Sequence, residues 1–279
     1  MVERLNNASG ALGALRYLQS ASKDLSGTQT RLSSGLRVAR ARDDAAAYQN
    51  AALMEGQQAS LNAVTMSLNR AESISNTAIT AAEEISKELA DLKATATQAM
   101  TEGLTADQRA ALQQQYNNQM LALQNFIRNS AFDDANVLDG SKPNGVSFIA
   151  DAEANQTVTL EGRNFWPGGP VIVALASNTA LSDPQAAANT QKLLDDSITN
   201  VGKQLVDMGA EYKRIEAQKG FVSKLADALA DGVGRMVDTD LAAESALIQA
   251  LQVKQELGAQ AISIANAAPQ ALLQLFRSV

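Results

Sequence analysis

Between residues 61 and 99, two interleaved rows of side chains repeat every seven positions. They are Leu61, Leu68, Ser75, Ala82, Leu89, Ala96 and Val64, Ala71, Ala78, Ile85, Leu92, Ala99, and eleven of the twelve are apolar. This period draws one continuous stripe along an α-helix and demands a second helix to cover it. At about 1.5 Å per residue such a helix is roughly 60 Å long, more than a compact globular domain uses. Its partner is legible further on: Leu194, Val201, Met208, Ile215, Val222 and Leu229 recur every seven residues, with Ile198, Leu205, Tyr212 and Ala226 offset by four. Only Lys219 interrupts that second row. The predicted fold class is mainly α, an elongated antiparallel coiled-coil bundle formed by the N- and C-terminal halves. Aromatic residues are only 4% of the chain, which suits helices packed side by side better than a mixed core.

The first 42 residues form an arm in the same style. Leu5 and Leu12 are seven apart, as are Ala8 and Leu15, and Leu18, Leu25 and Leu32 continue the spacing. The stripe stops at Ser33-Ser34-Gly35, read as a hinge because Ser competes for local backbone bonds and Gly costs about 1 kcal/mol inside a helix. Asp43 and Asp44 then suit the first turn of a new helix, where free amides favour negative charge. A second hinge is read at Gly232 and Gly234. Beyond it, Leu241, Leu247, Ile248, Leu251, Leu257, Ile262, Ile264, Leu272, Leu273, Leu275 and Phe276 occupy more than one face of a C-terminal arm, so neighbours must bury it from several directions. Pro269 is expected to kink this arm.

Thr105 and Gln108 form a capping-box pattern that starts a third helix, with Leu112, Tyr116, Met120, Leu123 and Ile127 on one face. Between about 132 and 180 the turn signals Asp139-Gly140, Asn144-Gly145 and Pro167-Gly168-Gly169-Pro170 separate the runs "GVSFIA", "TVTLEG" and "VIVALA", which favour strands. This predicts a small β-hairpin region with Trp166 near its turn. Asp183-Pro184 reads as a cap and first helical residue. The expected order is an N-terminal arm (1–42), long helices (43–140), an outer hairpin insert (141–182), a long helix (183–233) and a C-terminal arm (234–279). Antiparallel pairing of the long helices puts both arms at one end.

The chain has no cysteine and no histidine. That removes disulfides, thiolate metal sites and His-activated nucleophiles, so neither an enzyme nor a bound cofactor or metal is expected. The net charge of -7 is uneven: residues 1–42 carry seven basic and two acidic side chains, or +5, leaving -12 for the rest. Nucleic acid is therefore not expected as a partner. No run of 18 apolar residues occurs, so no membrane insertion is expected. Val2–Leu18 is interrupted by Glu3, Arg4, Asn6, Asn7 and Arg16, unlike a signal peptide; export is expected to need no cleaved signal. Asp43-Asp44 reads as a helix start rather than a metal or acid–base pair. Met54, Met66 and Met208 read as core fillers, and the acceptor patterns Asn7-Ala-Ser9 and Asn155-Gln-Thr157 as accidental.

Ordering two arms of about 40 residues each costs on the order of 100 kcal/mol. Two striped helices touching only each other bury too little to offset it. Other copies are expected to cover them, and head-to-tail contacts that do not close a ring give an open helical polymer. Assembly would then order the arms.

The two ends carry a resemblance. "LSSGLRVARARDDAAAY", Leu32 to Tyr48, resembles the signature that follows the first helix of bacterial flagellins, with Ala47-Tyr48 where many members have Gly. "VDTDLAAESA" and "LGAQAISIANAAPQALLQLFR" resemble the flagellin carboxyl end. The likeness covers residues 1–140 and 185–279. It implies a secreted, extracellular subunit of the flagellar filament, exported unfolded through the flagellum's own channel, polymerising with itself and able to admit sibling flagellins. It implies further partners: the export apparatus, an export chaperone, and the hook-associated junction and cap proteins. By the same resemblance the arms form an inner tube, the long helices an outer one, and the short insert faces solvent. A hook–filament junction protein is the alternative. The innate-receptor epitope of many flagellins has an arginine before Glu-Leu on the second helix; Ala90-Asp91-Leu92 stands there, so weak recognition is expected.

Overall fold

The computed structural model describes residues 9–174 and 180–277. Helix α1 (Ser9–Ser34) is followed by α2 (Ala45–Ala99), α3 (Ala106–Asn129), strands β1 (Val146–Ile149) and β2 (Thr157–Leu160), α4 (Pro184–Val237) and α5 (Leu241–Arg277). The chain divides into two units. One runs up to Gly56 and resumes at Ala228; the other is Gln57–Asp227.

In the Gln57–Asp227 unit both predicted rows of α2 and the first row of α4 lie in the core. All twelve row positions of α2, Ser75 included, are buried, and so are Leu194, Val201, Met208, Ile215 and Val222 of α4. Ile198 and Leu205 are half-buried on the flank of that stripe. Met208 fills the core as expected, but Met66 does not: it falls outside both rows of α2 and is 73% exposed. Thr105 caps α3 with the full reciprocal box, its side chain accepting from Gln108 N and the Gln108 side chain accepting from Thr105 N. Helix α3 buries Tyr116, Met120, Leu123 and Ile127 and docks on α2 through Thr95 Oγ1, 2.9 Å from Gln119 Oε1. Asp183 caps α4 by accepting from Ala186 N at 2.8 Å, with Pro184 at the first helical position.

Asn136 closes the end of α3, its Nδ2 donating to Ile127 O at 2.7 Å and its Oδ1 accepting from Leu138 N at 2.8 Å. The hairpin that follows pairs Val146 with Leu160 and Ile149 with Thr157. Its second side is crowded: a Cβ on Gly162 would lie 1.6 Å from Lys142 O, and one on Gly145 would lie 2.1 Å from Leu160 O. The expected third strand does not form over Val171–Ala174, and residues 175–179 of that run lie outside the described residues. Val173 N and Ala174 N donate to Ser197 Oγ of α4 instead of to a strand, and Val171, Ile172 and Ala174 are buried. Trp166 stands not in the β1–β2 turn but after β2, where its carbonyl accepts from Gly169 N at 2.9 Å and Arg128 lies 5.4 Å from its ring centroid.

The second hinge is not where the glycines suggested. Helix α4 continues through Gly232 and Gly234 to Val237, and neither glycine takes a positive φ. Val233 and Met236 pack with buried Val237 against Val38 and Ala51, and that burial outweighs the glycines' helix cost of about 1 kcal/mol each. The break comes at residues 238–240, after which Asp240 Oδ1 caps α5 by accepting from Ala242 N and Ala243 N. Helix α5 runs on past Pro269.

Candidate assembly surfaces and the joint

Within the first unit, α1 ends where the sequence breaks. Gly35 adopts φ +72° and donates its N–H to Arg31 O at 2.8 Å, the left-handed cap that glycine adopts without a Cβ penalty. Helix α2 restarts with Asp44 as its cap, Oδ1 accepting from Ala46 N at 3.1 Å and Ala47 N at 3.0 Å. Asp43 accepts from Arg40 N at 3.0 Å. The two aspartates thus hold a turn and a helix start.

The chain between these helices is tied to the other end of the protein. Arg37 N and Val38 N both donate to Val237 O, at 2.7 and 3.2 Å, and Thr239 N donates to Gly35 O at 2.9 Å. Arg37 Nη2 reaches Met236 O at 2.6 Å. Beneath them Val38, Ala51 and Val237 form a small buried cluster edged by Leu36, Ala47, Val233 and Met236. The first turns of α2 and the last of α4 therefore group with the arms, in the unit that runs up to Gly56 and resumes at Ala228. Instead of two separate hinges there is one joint.

Helices α1 and α5 pack antiparallel, Gly258 lying beside Leu18 and Arg31 beside Glu244. Arg31 Nε donates to Glu244 Oε1 at 2.6 Å and Nη2 to Oε2 at 3.2 Å. Thr28 Oγ1 accepts from Arg31, and Thr239 Oγ1 donates to Glu244. Arg31 holds the Glu244 carboxyl below its usual range, with Thr239 and Thr28 contributing. Ala21, Thr28 and Leu251 are buried in this pair, and Leu18, Leu25, Leu32, Ile248 and Ile262 are half-buried. Much apolar surface is left over. Leu12, Leu15 and Tyr17 on α1 and Leu241, Leu247, Val253, Leu257 and Ile264 on α5 are exposed, Leu257 at 57% and Ile264 at 72%. Leu5 lies outside the described residues, and Leu272, Leu273, Leu275 and Phe276 fall within α5.

Of the predicted coiled-coil residues, those of α2 and Leu194, Val201, Met208, Ile215 and Val222 of α4 are buried, while Ile198, Leu205 and Leu229 are half-buried; the described arm residues range from buried Leu251 to exposed Ile264. Reading the sequence missed Arg31, Glu244, Glu72 and Arg163; the one visible signal among their contacts was Lys219 in an apolar row. Among the described residues no group of acidic, His or Cys side chains could hold a metal ion, and no helix is long and apolar enough to cross a membrane.

Comparison with known proteins agrees with this architecture. Residues 5–143 match the bacterial flagellin N-terminal helical region and residues 191–276 the bacterial flagellin C-terminal helical region. The chain is similar to flagellin FljJ of Caulobacter vibrioides, 37% identical over 280 residues covering 99% of each chain. It is also similar to flagellin FljO of the same organism, 32% identical over 98% of each chain. A flagellin of Brucella melitensis is 30% identical over 99% of this chain and 100% of its own. Nothing among these similarities favours a junction protein. With both helical regions matched in order and relatives alike over their full length, this chain belongs to the bacterial flagellin family, the structural subunits of the flagellar filament.

Proposed function

We propose that this filament subunit assembles through the uncovered apolar faces of α1 and α5, which neighbouring copies seal. The supporting observation is the row of exposed leucines, isoleucine, valine and tyrosine on both helices of the arm pair. Fully burying a Leu or Ile contributes about 1.5–3 kcal/mol, so a handful of these side chains is worth more than the ion pairs on the same surface. The surfaces on the two helices differ, so one copy meets the next head to tail and an open helix results. In this reading the arms, 1–42 and 234–279 together with the joint, form the inner tube, and residues 57–227 form the outer wall with the hairpin insert facing solvent. The subunit is secreted through the flagellar export apparatus with an export chaperone, lies outside the cell, meets junction and cap proteins at the filament ends, and admits sibling flagellins.

Two measurements test this. Removing residues 240–279 abolishes seeded filament growth while the remaining chain stays soluble and helical; growth of the truncated chain refutes the role given to α5. Amide exchange of α1 and α5 slows on assembly because neighbours cover them, and equal protection in free and polymerised protein refutes the sealing of these faces by other copies.

A further inference from the structure

The apolar rows of α2 and α4 repeat so regularly that they do not fix how the two helices are aligned. Sliding α4 by seven residues sets Val201 where Leu194 was and Met208 where Val201 was, apolar against apolar, for a shift of about 10 Å at 1.5 Å per residue. Yet one alignment is found. On it Lys93 Nζ lies 2.5 Å from Asp195 Oδ1. Four residues later on α2 and four earlier on α4, Gln191 Nε2 lies 3.4 Å from Thr97 Oγ1.

Two polar contacts in the same unit break the repeat, and both grip α4 at positions seven apart. Glu72 of α2 spans Tyr212 and Lys219: its Oε2 accepts from Lys219 Nζ at 2.7 Å and its Oε1 from Tyr212 hydroxyl at 3.3 Å. Lys219 holds the Glu72 carboxyl below its usual range. Arg163, carried by the insert, spans Gln204 and Glu211: its Nε donates to Gln204 Oε1 at 2.8 Å, and its Nη2 and Nη1 donate to Glu211 at 2.7 and 3.3 Å. Arg163 and Glu211 are both buried. A slip of one heptad in either direction strips Glu72 of one of its two partners, and in one direction it also strips Arg163 of its carboxylate. In one direction Glu72 faces Leu205 and Tyr212 while Arg163 faces Ser197 and Gln204, leaving a buried guanidinium with no carboxylate. In the other, Arg163 still meets a Gln and a Glu, as Gln218 and Glu211, but Glu72 keeps Lys219 and exchanges the Tyr212 hydroxyl for Ala226.

We propose that Glu72 and Arg163 are register clamps that, through Tyr212 with Lys219 and Gln204 with Glu211, confine α4 to a single heptad alignment, so that every copy offers its neighbours the same surfaces. A buried ion pair adds little net stability over well-packed apolar residues, and its best-attested use is to specify register. Lys219, the residue that interrupts its row, is thereby the mark of alignment rather than a flaw in the coil. A slipped copy presents different side chains of α4 to its neighbours and is unfit to extend a helical polymer.

The chain's lack of cysteine makes disulfide trapping a clean readout on the full-length protein. Thr97→Cys with Gln191→Cys reports the native alignment. Thr97→Cys with Ile198→Cys reports a slip in one direction, and Lys93→Cys with Ala188→Cys a slip in the other. In the natural background only the native pair cross-links efficiently. In a background of Glu72→Leu, Lys219→Leu, Arg163→Met and Glu211→Leu, slipped cross-links rise at least about tenfold, the ratio expected for a bias of ~1.4 kcal/mol, and seeded growth falls. Slipped yields that stay at the natural level overturn the proposal. Should the fourfold variant lose its helical signal, charge reversal decides the matter. Glu72→Lys and Lys219→Glu alone each raise slipped cross-linking, and together they restore the native pattern; a double variant no better than the singles overturns the proposal.

Discussion

Asp134→Gly stabilises the protein. Phe132 and Ala135 exchange backbone hydrogen bonds, at 3.1 Å for Phe132 N to Ala135 O and 3.0 Å for the reverse. The two residues between them, Asp133 and Asp134, sit at φ 50° and 58°. Positive φ at both central positions is the mark of a type I′ turn, which favours glycine at the second. The left-handed conformation costs an L-residue roughly 1–2 kcal/mol, less for aspartate, whose short side chain bonds locally. Glycine removes that cost and returns part of the gain as extra freedom in the unfolded chain. The net is about 0.5–1 kcal/mol, or a rise in melting midpoint of roughly 1–4 °C for a unit of this size. Asp133→Gly relieves a similar strain but deletes the partner of Arg70, whose Nε lies 2.6 Å from Asp133 Oδ2. That pair is exposed and worth about 0.5 kcal/mol, so the gain there is smaller. Thermal unfolding of the full chain followed by circular dichroism ranks the variants. A midpoint below the natural one for Asp134→Gly, or a larger gain from Asp133→Gly, would refute the strain assignment.

Other substitutions test other parts of the description. Gly232→Ala stabilises α4 by about 0.5–1 kcal/mol, since its Cβ meets only the flexible end of Met54, Sδ at 3.5 Å and Cε at 3.9 Å; impaired assembly in this variant would restore Gly232 as a functional hinge. Gly162→Ala costs about 3 kcal/mol or more because Lys142 O occupies the space its Cβ needs, and proteolysis within the insert should accelerate. Glu244, with its pKa held below the ordinary 4.5 by Arg31, contributes stability that is present above that value and lost as pH falls through the folded value. Exchange of the α1 and α5 amides should therefore quicken in acid, and Glu244→Gln should flatten that dependence; an unchanged acid response would remove Glu244 from the account.

What could be read from the sequence was whatever leaves a periodic or single-residue trace. The rows of α2 and α4 repeat for several heptads, and the caps at Asp44, Thr105 and Asp183 each rest on one side chain and its nearest amides. The joint leaves no such trace. Apart from the Arg37 side chain on Met236 O, its hydrogen bonds run backbone to backbone between segments some two hundred residues apart, Arg37 with Val237 and Gly35 with Thr239, and almost any residue but proline could supply them. Gly232 and Gly234 misled because propensity is a local cost that packing of Val233, Met236 and Val237 overrides. Val171–Ala174 misled similarly, since Ser197 of α4 supplies the amide partner that a strand would. Lys219 was visible as an interruption, but only the structure names Glu72 as its counterpart.

The closure between residues 35–38 and 237–239 has a consequence for the order in which the subunit matures. A polypeptide made from its amino end displays Leu36 and Val38 early and finds nothing to match them until the final sixth of the molecule has arrived. Arrival of the last turn of α4 is thus registered at a spot near the amino end. A copy ended before Val237 would carry that spot open, and would differ from a finished one before meeting any neighbour.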